Sequence, residues 1–235
     1  MGSSPLARGA LYSSDIEGYD VPHLYELYRR GEGIGERPDG KAGYSVDGNS
    51  LGGSNSGGSN GGGSYKGIPI KVGGKDIYPN QPMDIKDASK GANIDGHISN
   101  CQRCVPAYEL QRQGYYVTAL DRPSKGNTIR TASDCFDVKP ISVLGKQDLI
   151  DCLRNEDDGT RFAVSIKWQG SKPKDPGHVF VAEKVSGKII FIDPQSDIIG
   201  YTGIDRAKYG SIKYFRMDNA KFKPGFDFDL IVKEP

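Results

Sequence analysis

The sequence lacks any run of 18 or more apolar residues, so nothing in it reads as a membrane span. It lacks an excess of either charge: 31 Lys and Arg against 30 Asp and Glu leave a net +1. A chain balanced this closely is not expected to live on phosphate contacts, which argues against a nucleic-acid binder. No basic segment followed by a long apolar stretch opens it, so no secretory signal is read there. Cysteine is scarce. Four in 235 residues are too few for a disulfide framework at this length. What remains is one domain of ordinary size with extensions.

Those extensions lie at the front. Residues 52–64 contain seven Gly among thirteen residues, the rest Ser and Asn, and cannot bury anything. Such a stretch reads as an engineered fusion linker, with a natural low-complexity tether as the rival. At about 5–6 Å × √n it reaches roughly 20 Å on average, enough to hold a docked peptide at high effective concentration. Residues 1–51 read as a partly ordered peptide, or a fused partner, with one helical patch at 20–31. There Leu24, Leu27 and Tyr28 share a face. His23, on the same patch, has no chemical partner nearby and is read as surface.

Residues 65–82 read as an extended arm or hairpin, with Gly73-Gly74 between Ile68–Val72 and Ile77-Tyr78. The main domain is expected over 83–235. Within it the patterns predict helices at 105–113 and 146–155, and strands at 115–119, 162–168, 178–185, 188–192, 212–217 and 228–232. Ser186-Gly187 marks a two-residue turn, so its flanking strands should pair antiparallel. Helices first and antiparallel strands second give an α+β class.

Chemistry concentrates in two places. Asn100-Cys101-Gln-Arg-Cys104 puts two thiols at a helix start, where an Asn cap and the helix dipole favour a thiolate. Two small buried side chains are the plain alternative. A second close pair, needed for zinc, is missing: Cys135 and Cys152 stand 17 positions apart and read as core thiols. A thioredoxin-like redox pair would need a strand leading in, and 84–100 does not read as one. No metal and no cofactor is expected. Further on, His178 opens a strand and Asp193, in Asp193-Pro194-Gln195, closes its hairpin partner. Folding about Ser186-Gly187 sets residues whose numbers sum to about 373 opposite each other, which brings His178 and Asp193 to one end of the sheet. Cys, His and Asp then follow in papain-like chain order. Which thiol would act stays open on the residues alone. Asn100 favours Cys101, whereas Pro106 suits a helix begun near Cys104.

The blocks NCQRCVPAYELQRQGYYVTAL and GHVFVAEKVSGKIIFIDPQS resemble the papain-fold toxin domain, a glutamine deamidase of bacterial polymorphic toxins and phage head proteins. The resemblance runs over roughly 84–220. It implies a papain-like fold, with a Cys-bearing helix packed on an antiparallel sheet that carries His and Asp. It implies Cys101 as nucleophile, His178 as general base and Asp193 as its orienter, with Cys104 as the alternative nucleophile. Gln195, Trp168 and Asn100 are expected around the substrate or oxyanion pocket. The Cys101 backbone N–H is a candidate oxyanion donor. The implied reaction is deamidation of a glutamine side chain on a protein substrate, in the cytoplasm of a target cell. A protease, a transglutaminase or a non-catalytic binding module could carry the same residues. Residues 1–51 would then be an immunity-type inhibitor or a substrate segment, and neither nucleic acid nor membrane is an expected partner.

Overall fold

A computed structural model of the chain describes residues 67–123, 129–172 and 174–235; the expectations for 1–51 and 52–64 lie outside the described residues. Strands β1 (Ile70–Val72) and β2 (Lys75–Ile77) form the hairpin read from Gly73-Gly74. Ile70 and Val72 are buried in the same core as the helices that follow. Helix α1 (Ile85–Gly91) is capped by Asp84, whose carboxylate accepts the Asp87 N–H at 2.8 Å. Helix α2 (Cys101–Arg112) begins four residues before the expected start and takes Pro106 into its interior. Proline removes one hydrogen bond there, but every residue of α2 after Cys101 is buried, and this packing outweighs the loss.

Strand β3 (Thr118–Ala119) is shorter than expected, because Tyr115 still donates its N–H to Leu110 at the end of α2. The remaining elements are β4 (Ile141–Val143), α3 (Lys146–Leu153), β5 (Arg161–Ile166), β6 (His178–Val185), β7 (Lys188–Asp193), β8 (Ile198–Ile199), β9 (Ile212–Arg216) and β10 (Val232–Lys233). The strand expected over 228–232 is instead a 3-10 turn, Phe228–Leu230, followed by β10. Among the described residues that strand pairs with the two residues of β3 alone.

Strands β4-β9-β5-β6-β7-β8, in that order, make one antiparallel sheet. Its central strands are buried on both faces. On one side α2 packs Val105 and Tyr108 into a cluster with Ala163, Val181 and Phe215. On the other, Leu149 and Leu153 of α3 join Phe162, Val164, Phe180 and Ile212. The fold class is therefore α+β, as the element pattern implies. Among the described residues no helix is long and apolar enough to cross a membrane.

Candidate active site

The β6–β7 turn sets the register of the site. Ser186 and Gly187 both take positive φ, 50° and 77°, the conformation that a tight two-residue hairpin turn demands. Val185 therefore pairs with Lys188 and Val181 with Ile192, the expected sum of 373 in each case. This puts His178, the first residue of β6, beside Asp193, the last of β7. Gly177 guards the approach: a Cβ there would sit 2.2 Å from the Ile166 carbonyl oxygen of the neighbouring strand. A side chain at 177 would push the start of β6, and His178 with it, off β5.

Nε2 of His178 lies 3.1 Å from Asp193 Oδ2, yet the approach is too oblique for a well-formed N–H bond. The contact is a close ion pair. Asp193 is itself buried, and its other oxygen accepts the Gln195 N–H at 3.2 Å. Cys101 also acts on the charge of the imidazole. Burial alone would make His178 harder to protonate; the Asp193 and Cys101 contacts outweigh it and push the value up to about 9. Aromatic rings enclose the imidazole. Trp168 stacks on it at 5.9 Å and 17°, Phe180 lies at 6.1 Å and Tyr201 at 5.6 Å. Trp168 thus stands against the histidine, with the Arg206 guanidinium 5.6 Å from its ring centre. Nothing in its sequence context marks Tyr201; the short return strand β8 delivers it.

A test of this electrostatic picture follows from the sign. Since the folded value lies above the ordinary 6.5, protonated His178 stabilises the fold fully below about pH 6.5, and the contribution fades as pH rises through about 9. The gap between the two values corresponds to about 3 kcal/mol. Urea unfolding of wild type and His178→Ala should therefore give a stability difference that shrinks by about this amount between about pH 6 and pH 10. A difference that does not change with pH would mean that His178 is not held protonated by its neighbours.

The two thiols of the helix start differ sharply. Cys101 is the first residue of α2 and half-exposed, with its Sγ 3.4 Å from Gln102 Oε1. Cys104 is fully buried, donates to Asn100 Oδ1 at 3.2 Å, and is pushed far above the ordinary thiol range by burial, with Cys101 and Asp193 adding to the effect. Cys135 is buried, which lifts its value to about 12, and Cys152 is exposed on α3 rather than in the core.

Asn100 precedes the helix but does not cap it with its side chain. Its amide is fully buried, donating to Asn93 Oδ1 at 3.1 Å and to the Leu120 carbonyl at 3.0 Å. Its side-chain polar atoms are all committed to protein, with Oδ1 accepting from the Cys104 thiol. The helix start is met instead by Gln195. With its carboxamide oxygen turned toward α2, Gln195 accepts from the backbone N–H groups of Ser99 (3.2 Å), Asn100 (2.9 Å) and Cys101 (3.0 Å). Turned the other way, its Nε2 makes one bond, to Asn100 Oδ1 at 3.1 Å. Three satisfied donors outweigh one bond, even with an oxygen–oxygen contact to Asn100 left over, and fix the first orientation. The Cys101 N–H expected to serve an oxyanion is thus already engaged. Asn93, which sequence reasoning missed because no motif surrounds it, joins these parts: its Nδ2 donates to the Gln195 carbonyl at 2.8 Å and to that of His97 at 2.9 Å.

A half-exposed thiol at a helix start, an imidazole and a buried carboxylate are the parts that acyl-transfer chemistry through a sulfur nucleophile requires. No curated protein and no solved structure matches the chain. Residues 99–197, under half of the chain but holding Cys101, His178, Asp193 and Gln195, match the model of the family described as papain fold toxin 1, glutamine deamidase, the family that the two sequence blocks resemble.

Proposed function

We propose that this domain is a cysteine-dependent amidohydrolase that converts glutamine side chains of a target protein to glutamate, with Cys101 as nucleophile, His178 as general acid and base, and Asp193 as the residue that orients the imidazole. The observation that carries the reading is the position of His178, with the Asp193 carboxylate 3.1 Å from Nε2 and Cys101 at the start of the helix packed on the same sheet. The thiolate is the reactive form of a cysteine, and an imidazolium beside it favours that form. Cys104 is set aside as nucleophile because it is buried and its sulfur is bonded to Asn100.

In the first half-reaction the Cys101 sulfur bonds to the glutamine carboxamide carbon. The C–N bond then breaks, and ammonia leaves with a proton from His178, giving a thioester. In the second, His178 takes a proton from water as its oxygen attacks the thioester carbon. The sulfur departs and the product is glutamate. The aromatic rings around His178 keep bulk water from its flanks, which strengthens its pairing with Asp193. In the setting the family name implies, the substrate is a protein in the cytoplasm of a target cell, and residues 1–51 are a tethered inhibitor or substrate segment.

The test is to incubate a bacterial lysate with wild type and with Cys101→Ala, and to map modified peptides by mass spectrometry. Glutamine-to-glutamate conversion with ammonia release, seen only with wild type, is the expected result. Main-chain cleavage in its place would make the domain a protease, and glutamine–lysine isopeptides a transglutaminase; either would overturn the deamidase assignment.

A further inference from the structure

We infer that Gln195 is a positioning residue that ties the nucleophile's helix to the carboxylate of the triad, an inference that rests on Cys101 being the nucleophile. Backbone N–H groups at a helix start have no partner within the helix and must be satisfied from outside. The residue in the N-cap place, Asn100, uses its side chain elsewhere. Gln195, 94 positions beyond Cys101, supplies the missing acceptor across the fold, on Ser99, Asn100 and Cys101 together.

The same residue is fixed at its two other polar groups. Its N–H donates to Asp193 Oδ1 at 3.2 Å, which leaves Oδ2 for His178, and its carbonyl accepts from the buried Asn93 amide at 2.8 Å. A side chain whose own main-chain N–H and C=O are both engaged has little freedom to let α2 slide. Asp193, two residues before it, and Cys101, at the far end of its side chain, are thereby held at a set separation, with the imidazole between them. This gives the Gln of Asp193-Pro194-Gln195 a role distinct from contact with substrate.

The experiment compares the full chain with Gln195→Leu and Gln195→Glu. Its readout is iodoacetamide alkylation of each cysteine against pH, mapped by mass spectrometry, which needs no knowledge of the substrate. Gln195→Leu keeps the bulk and removes the acceptor. Its Cys101 should react about tenfold or more slowly near neutral pH. Gln195→Glu still offers an oxygen to the three N–H groups and should stay close to wild type. Exposed Cys152 is the control for reagent and should not change; buried Cys104 and Cys135 should stay protected, which shows that the variants are folded.

A Gln195→Leu profile equal to wild type overturns the inference, and so does a Gln195→Glu profile as depressed as that of Gln195→Leu, since the oxygen would then not be the acting group. A Gln195→Leu protein with exposed Cys104 and Cys135 leaves the decision to Gln195→Glu alone. A wild-type Cys101 that titrates like Cys152 is a different outcome: it removes the Cys–His pair itself, and the positioning role falls with it.

Discussion

Cys101→Ala should lower ammonia release from a glutamine substrate by about 10⁴- to 10⁶-fold and leave the melting temperature nearly where it was. The loss is large because no other exposed thiol among the described residues lies at this helix start to take over the bond-forming role. The stability change is small because Cys101 is only half-buried and its sulfur makes one long contact, to Gln102. Cys104→Ala should show the reverse pattern. It removes a fully buried sulfur and the bond to Asn100, at a cost of about 1–2 kcal/mol, yet keeps most of the activity. Ammonia release and thermal unfolding of both variants, measured side by side, separate the two thiols. Equal activity losses would mean that Cys104 is needed in the chemistry; an active Cys101→Ala would end the Cys101 assignment.

The second large effect concerns stability. Glu183 of β6 is fully buried, accepts the Arg112 guanidinium at 2.6 Å on one oxygen and the Tyr108 hydroxyl at 2.7 Å on the other. Beside it Arg161 holds Glu109 through two bonds, at 2.7 and 2.8 Å, also out of water. Glu183→Ala takes away the carboxylate that balances a buried cation and the acceptor of a buried phenol. The expected cost is about 3–5 kcal/mol, or a melting temperature lower by roughly 10–15 °C. Glu183→Gln keeps a hydrogen-bond acceptor and should fall between. Glu156, which meets Arg216 at a half-exposed site, is the contrast: its alanine variant should change stability by no more than about 1 kcal/mol. If Glu183→Ala unfolds within about 1 kcal/mol of wild type, the pair is not holding α2 on the sheet.

Activity should suffer with it. Five residues of β6 separate His178 from Glu183, about 17 Å of strand. Eleven residues of α2 separate Cys101 from Arg112, about 16 Å of helix. The two elements cover matching lengths, so losing the ion pair at one end should loosen the placing of the thiol against the imidazole at the other.

Much of this arrangement was legible in the sequence, for local reasons. Ser186-Gly187 encodes its turn chemically, and alternation of β-branched residues does the rest, so the His178–Asp193 juxtaposition follows from counting. Gly114 stops α2 where a positive φ of 97° is needed and where a Cβ would meet the Asn80 carbonyl at 2.3 Å. The start of α2 was not legible. A helix buried nearly all round, with Glu109, Arg103 and Arg112 among its buried residues, has no apolar stripe for periodicity to find. The charges of α2 find their partners only across the fold, Arg112 on Glu183 of β6 and Glu109 on Arg161 of β5. Likewise the cap came from 94 positions away rather than from the Asn beside the helix, and no local rule reaches that far.

The closing strand has a consequence for biosynthesis. Arg103, in the first turn of α2, donates to the Leu230 carbonyl at 2.9 Å, Leu120 donates to Ile231, and β3 pairs with β10. A ribosome delivers Cys101 well over a hundred residues before any of these partners. The imidazole and the carboxylate, on the β6–β7 hairpin, follow Cys101 by 77 and 92 residues and still precede the clamp. The start of α2 is therefore clamped only after its thiol, His178 and Asp193 have all been made.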